Sequence, residues 1–175
     1  MIVVSDTTPI NYLILIGRIE ILRELFGRVI IPHSVWEEFH NPGTPELVRS
    51  WADSSPAWFD VRQASETSIR SVARLGAGER EGIALAKELN ADAILMDDRK
   101  GTKEAQRQGL TTIGTLAILA KASQRGLLDL PETFRELAQT NFRFPRAEVI
   151  EGLLDQYEQT TRQVSDEPLA PTDED

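Results

Sequence analysis

Short, wholly apolar runs alternate along this chain with longer segments whose apolar residues recur every three or four positions. The clearest runs are Ile2-Val3-Val4, Val29-Ile30-Ile31 and Ala93-Ile94-Leu95-Met96; residues 110–113, with two threonines, read as a further strand, and residues 58–61 as a weaker one suited to a sheet edge. An Ile/Val run without polar alternation suits a strand covered on both faces, as in the parallel sheet of an α/β protein. Helical periodicity fills the intervals. Residues 11–26 carry it with a break at Gly17 and a stop at Gly27, which fits one kinked helix or two short ones. Ser34 reads as the N-cap of the next helix, with Glu37 three residues on completing a capping box. Further helices are expected over 46–52, 82–89, 102–108, 115–122, 131–138 and 147–160.

This pattern predicts one α/β domain over residues 1–145, a C-terminal helix over 146–162 and an acidic, disordered tail over 163–175. The stripe Val149, Ile150, Leu153, Leu154 and Tyr157 on the last helix is expected to complete the core or to meet a partner. A length of 175 residues suits a single core of this size. Trp36, Trp51 and Trp58 read as core or groove walls, and His33 and His40 as surface residues.

Charge narrows the function. A net charge of −9 and a pI near 4.8 argue against a protein that grips nucleic acid with its whole surface. Five of the acids, however, lie in the last ten residues, so the folded part is closer to neutral. The absence of cysteine excludes disulfides, thiolate-bound zinc and cysteine nucleophiles. The opening residues lack the basic region of a signal peptide and no apolar stretch is long enough to span a bilayer, so a cytoplasmic protein without membrane contact is expected.

Two of the buried runs stop on carboxylates, Asp6 in one case and Asp97-Asp98 in the other. Ligand sites of open α/β sheets lie beyond the carboxyl ends of their strands. Glu38, beyond the second strand, and Glu79, at the first turn of a helix, are placed to join them. Like charges about 4 Å apart repel by roughly 4 kcal/mol at an effective dielectric near 20, so such a cluster needs protons or a cation. With oxygen ligands only, that cation is a hard one, Mg²⁺ or Mn²⁺. All of these acids except Glu38 also have a local alternative: Asp6 and one of Asp97 and Asp98 as helix caps, and Glu79, like Glu81, as a partner of a helix dipole. Glu79 is read as a ligand and Glu81 as structural. Arg99, Lys100, Lys103 and Arg107 either hold a phosphate near the site or form a solvated face.

Four segments together resemble the PIN-domain ribonucleases, most closely the VapC-like branch of type II toxin–antitoxin systems. They are Val3-Val4-Ser5-Asp6-Thr7-Thr8-Pro9-Ile10, residues 31–39, Gly76-Ala77-Gly78-Glu79-Arg80-Glu81 with its following helix, and Ile94-Leu95-Met96-Asp97-Asp98-Arg99. The resemblance covers residues 1–130. It implies a three-layer α/β/α sandwich around a mostly parallel sheet, and a Mg²⁺- or Mn²⁺-dependent endoribonuclease acting as the toxin of a pair. It also implies an RNA substrate, a cognate antitoxin and a homodimer. Asp6 matches the first metal-binding acid and Thr7 the hydroxyl beside it; Glu38 matches the second acid, Glu79 the third, and Asp98 the fourth with Asp97 in competition. Metal ligation is thereby expected from Asp6, Glu79, Asp97 and Asp98, the acidic pocket from Glu38, and substrate contacts from Thr7, Arg99, Lys100 and Lys103. Two departures stand out. Glu79 replaces the more frequent aspartate, and Met96 stands where threonine is common. The alternative is a non-catalytic PIN module that binds a regulatory partner. A phosphohydrolase of haloacid-dehalogenase type ranks below both, because it wants a second aspartate where Thr8 stands.

Overall fold

The computed structural model describes residues 1–65 and 74–165. Its centre is a five-stranded, all-parallel sheet in the order β3-β2-β1-β4-β5, formed by β1 (Val3–Ser5), β2 (Val29–Pro32), β3 (Phe59–Arg62), β4 (Ala93–Leu95) and β5 (Thr112–Ile113). β1 is the middle strand, paired with β2 through Val3–Val29 and with β4 through Val3–Ala93. Helices cover both faces, so the architecture is the α/β sandwich that the apolar runs predict.

Strand side chains alternate between faces, and both faces are buried. Val3, Val29, Ile31 and Leu95 point into one hydrophobic cluster, whereas Val4, Ile30, Ile94 and Met96 point into the other. The first cluster is completed by α1 (Thr7–Leu15), α2 (Ile21–Phe26), α3 (His33–Phe39), α4 (Glu46–Asp53), α7 (Thr115–Gln124) and α8 (Leu130–Ala138). The second is closed by α5 (Ala77–Glu88) and α6 (Arg99–Arg107). α5 presents Ile83, Ala84, Leu85 and Ala86 to the sheet, and its small residues permit close approach.

Several boundaries differ from the sequence expectation. α1 and α2 are separate helices, because Gly17 adopts a φ of +67°, which L side chains rarely take. α3 begins at His33 behind Pro32, so Ser34 lies inside its first turn and makes no cap, and Glu37 is exposed beside His33. The capping box read over Ser34 and Glu37 does not form. α6 starts at Arg99 rather than Thr102. The last helix, α9 (Ala147–Ser165), outruns its expected end; Ile150, Leu153, Leu154 and Tyr157 pack on the first cluster, and the rest of the expected acidic tail, residues 166–175, lies outside the described residues. Among the described residues no helix is long and apolar enough to cross a membrane.

Candidate active site

The strand order brings the acids together. Asp6 follows β1 directly, its amide donating to the Leu95 carbonyl at 2.9 Å and so extending the β1–β4 ladder. Asp97 follows β4 by one residue. Glu38 lies in α3 after β2, and Glu79 in the first turn of α5. All four stand at the carboxyl edge of the central strands.

Asp6 is only 5% exposed. It occupies the N-cap position of α1, yet its carboxylate makes no capping hydrogen bond, so the local alternative for this acid is not realised. Burial pushes its carboxyl up to about 7; the Thr7 amide acts in the opposite direction, while the negative fields of Glu79, Glu38 and Asp97 raise it further. Glu38 accepts the Thr7 hydroxyl, a contact that fixes the start of α1 against α3. Gly78 explains the close approach: a Cβ there would lie 3.0 Å from Glu38 Oε1, 3.1 Å from Val35 Cγ2 and 3.4 Å from Asp6 Oδ1. Both carboxylates therefore sit over the same glycine.

Asp97 and Asp98 have divided roles. Asp98 is exposed and caps α6, its Oδ1 accepting from the amides of Lys100 at 2.8 Å and Gly101 at 2.9 Å. Asp97 is half-buried and turned toward α7, where the Thr115 amide donates to Oδ1 at 2.8 Å and the Thr115 hydroxyl to Oδ2 at 2.5 Å. Burial raises its carboxyl above the ordinary range, and the two Thr115 bonds oppose that rise. Between the two aspartates of this turn, it is Asp97 whose field bears on Asp6.

Glu79 is shared between a cap and the site: its Oε2 accepts the Gly76 amide at 2.6 Å, while its charge acts on Asp6. Glu81 has a purely structural setting, accepting the amides of Ser34 at 2.8 Å and Ala64 at 3.2 Å. Arg107 is tied to Glu104, whose carboxyl the guanidinium and Gln108 hold down at about 2. His40 is bonded to the Trp36 carbonyl and to Asp53 on the surface.

A cleft of about 970 Å³ opens beside these acids, lined among others by Tyr12, Asp97, Asp98, Arg99, Arg143 and Arg146. Arg99 thus reaches it, whereas Lys100 and Lys103 stand at exposed positions of α6 outside its lining. Thr115, Tyr12 and the two C-terminal arginines were not singled out by sequence; only the Gly-Thr opening of α7 after β5 hinted at the first.

The group these acids imply is a divalent cation. Their donors are all oxygen, which suits a hard ion, and three like charges already bear on a buried, uncapped Asp6. Among the described residues no three histidine, aspartate or glutamate side chains stand close enough to enclose an ion by themselves. The residues fit in donor type and charge, with Asp6 and Glu38 nearest to a common point.

No curated protein matches the chain. A solved PilT N-terminus domain protein from the hyperthermophilic archaeon Sulfolobus solfataricus P2 is similar, with a TM-score of 0.52 and 23% identity over 70% of this chain and 93% of that one. That likeness bears on the fold alone. The PIN-domain family DUF3368 matches residues 2–159, nearly the whole of the sheet, its helices and the acidic edge. This chain belongs to the PIN-domain family.

Proposed function

We propose that this PIN domain is a Mg²⁺- or Mn²⁺-dependent endoribonuclease in which Asp6, Glu38 and Asp97 hold the cation and Glu79 adds to the acidic field. PIN domains are typically nucleases and generally use divalent metal ions. The observation that carries the reading is the buried, uncapped Asp6 carboxylate among three like charges at the end of the central strand. Such a group is costly for the fold and calls for a compensating cation. A divalent ion supplies polarisation of the scissile phosphate and a more acidic water. The chain supplies the rest: Thr7 orients Glu38, Thr115 orients Asp97, and Asp6 gives up the proton it holds near neutral pH when a cation arrives.

The test is cleavage of a panel of single-stranded and structured RNAs with Mn²⁺ or with EDTA by wild type, Asp97→Asn and Asp98→Asn. Cleavage by wild type in Mn²⁺ alone is expected, with Asp97→Asn reduced at least 10–100-fold, the scale seen when a partner of a metal site is removed. Asp98→Asn is expected to stay within about threefold of wild type, since asparagine caps a helix about as well as aspartate. The reverse ranking would return the fourth acid to Asp98. In Gly78→Ala, the new methyl lies 3.0 Å from Glu38 Oε1, but alanine favours the helix by up to about 1 kcal/mol. Thermal stability should therefore change little while Mn²⁺ affinity, read by calorimetry, falls about tenfold. Equal affinity would mean that the two carboxylates over Gly78 do not act together.

In the cell this activity fits the toxin of a toxin–antitoxin pair, acting in the cytoplasm as a homodimer held in check by an antitoxin protein. Growth arrest on expression that disappears in Asp6→Asn would support that role. A non-catalytic, partner-binding PIN module is the second reading. It is favoured by the engagement of Glu79 and Asp98 with backbone amides, and absence of both Mn²⁺ binding and cleavage would select it.

A further inference from the structure

The sheet ends on two edges, β5 and β3. β5 is two residues long, and the Thr112 hydroxyl at its start accepts a hydrogen bond from the Gln106 side chain at 2.9 Å. β3 runs for four residues, Phe59-Asp60-Val61-Arg62, and among the described residues no strand pairs with its outer side. The Trp58 carbonyl accepts the Val29 amide at 3.0 Å and so faces β2. Backbone groups of a strand in a parallel ladder alternate between its two sides, so those of Asp60 and Arg62 also face β2. The Val61 amide and carbonyl and the Phe59 carbonyl therefore point outward, as on any open edge. The Phe59 amide is already used, donating to the Pro56 carbonyl at 3.0 Å.

Side chains along this edge alternate in the same way. Phe59 and Val61 join the first hydrophobic cluster, whereas Asp60 and Arg62 take the opposite face and pair with each other at 3.0 Å, both partly open to solvent. Charge on an edge strand is usually a device against pairing, because one sign repels its own copy. This edge carries one of each sign, two residues apart, with a valine between them. Set antiparallel against itself about Val61, it places Asp60 opposite Arg62 twice and valine opposite valine. Centred on Asp60 or on Arg62, it would bring like charges directly opposite each other. An apolar shoulder adjoins the start of the strand. Trp51 of α4 meets Phe59 edge-on at 4.8 Å and Trp58 at 6.2 Å; both indoles are half-buried, and Leu47, one turn before Trp51 on the same helix face, is 55% exposed.

We infer that the β3 edge is where a second copy of this chain docks, the two β3 strands pairing antiparallel across a twofold axis at Val61. The inference names a surface for the homodimer of the proposed function and does not depend on the nuclease chemistry. In this register the outward Val61 groups of each copy bond to those of the other, which is the hydrogen-bonded type of antiparallel pair. Asp60 and Arg62 of the two copies meet as a ring of four alternating charges on one face. On the other face the two Val61 side chains join the apolar clusters of the copies. The start of each β3 lies beside the end of the other, so Leu47, Trp51 and Trp58 come against the chain beyond Arg62 of the second copy and lose exposed apolar surface. Such self-complementarity is what a twofold contact requires. The two five-stranded sheets become one. Because the strands run in opposite directions across the axis, the two acidic edges open at opposite ends of the dimer, and neither copy contributes a residue to the other's site.

The test is sedimentation velocity over a micromolar concentration series, on wild type, Asp60→Arg, Arg62→Asp and an equimolar mixture of the two variants. Wild type is expected to sediment at twice the 19.6 kDa of one chain. Either variant alone sets like charges opposite each other at two places, and its dimer should be weaker by about tenfold or more. The mixture sets two arginines against two aspartates and should recover a heterodimer with an affinity within about threefold of wild type. An intrachain role of the Asp60–Arg62 pair predicts no such recovery, since neither variant regains that contact. Val61→Pro gives a second route: the ring removes the outward amide and none that faces β2, so the monomer should keep its sheet, read by circular dichroism, and lose the dimer. Dimers that persist in both single variants overturn the edge and leave a homodimer held through another face. Loss of the dimer in the single variants without recovery in the mixture also overturns it. A wild type that stays monomeric throughout the series overturns the inference and the homodimer together, while Mn²⁺-dependent RNA cleavage remains the separate test of the nuclease reading.

Discussion

Asp6→Asn is expected to make the metal-free protein more stable at pH 8 while removing the RNA cleavage proposed for it. The carboxyl of Asp6 is held up to about 7 in the folded protein against an ordinary value of 3.8. Below the ordinary value both folded and unfolded chains carry the proton, and the residue contributes nothing to the pH dependence. Between 3.8 and about 7 the unfolded chain releases the proton and the folded one keeps it, so stability falls as pH rises, by about 1.4 kcal/mol per pH unit. Above that range the cost levels off at roughly 4 kcal/mol. Asparagine avoids the charge but buries an amide, which costs about 1–3 kcal/mol where it lacks a partner. The net gain expected at pH 8 in EDTA is therefore about 1–3 kcal/mol, or a Tm rise of roughly 3–10 °C for a domain of this size. At pH 4, where Asp6 keeps its proton in the folded protein, the order should reverse, with the variant less stable by about 1–3 kcal/mol because only the cost of the buried amide remains. Mn²⁺ should raise the Tm of wild type and leave that of the variant nearly still, and cleavage should fall on the order of 10³-fold. Differential scanning calorimetry at both pH values, with and without Mn²⁺, reads the first part. A variant less stable than wild type at pH 8 in EDTA would show that the site tolerates the charge without a cation.

The sheet was legible because burial on both faces leaves a strong mark. Val3 and Val4 enter opposite clusters, so neither position can be polar, and the same holds for Ile30 with Ile31 and for Ile94 with Leu95. The acids at the strand ends were legible for a related reason, since an apolar run that stops on Asp6 or Asp97 places a carboxylate beyond the strand. The choice between Asp97 and Asp98 was not. It turns on where β4 ends and α6 begins, a difference of one residue, and only the backbone decides that the second aspartate caps the helix.

Longer-range features left no local trace. Thr115 reaches Asp97 because β4 and β5 pair with Leu95 opposite Ile113, a register that the sequence of either strand alone does not specify. The place of Arg143 and Arg146 at the cleft follows from the neighbouring Asn141 and Phe142 meeting Tyr12, far away in α1. Residues 34–37 give the opposite lesson. The Ser-x-x-Glu signature is present, but Pro32 ends β2 and the helix starts at once, so the Ser34 amide goes to Glu81 instead of being part of a capping box. A local motif lost to a buried charge that needed donors.

That buried charge carries the second large effect. Glu81→Ala is expected to destabilise the protein by about 3 kcal/mol at pH 7, through the loss of two hydrogen bonds to a charged acceptor and the exposure of two unpartnered amides. Glu79 and Glu81 are two residues apart on α5 and so face different ways; Glu79 turns to the site, Glu81 to Ser34 and Ala64. Glu81 is 6% exposed, and burial by itself would raise its carboxyl; the bonds from Ser34 and Ala64 outweigh that and hold it below the ordinary 4.5. Its folded value being lowered, its contribution is present above about 4.5 and is lost as the pH falls through the folded value. The difference between wild type and variant should therefore be full at pH 7 and shrink at acidic pH, opposite in direction to the behaviour of Asp6. A Tm lower by roughly 6–12 °C at pH 7 is the corresponding thermal shift. Glu81→Gln, which keeps an oxygen acceptor but not the charge, should lose about half as much. Residual Mn²⁺ affinity below the melting range should match wild type in both variants, because Glu81 faces away from the carboxylates over Gly78. A Glu81→Ala protein within about 1 kcal/mol of wild type at pH 7 would mean that α3 and the chain after β3 find other acceptors, and that this acid is not what ties α5 to them.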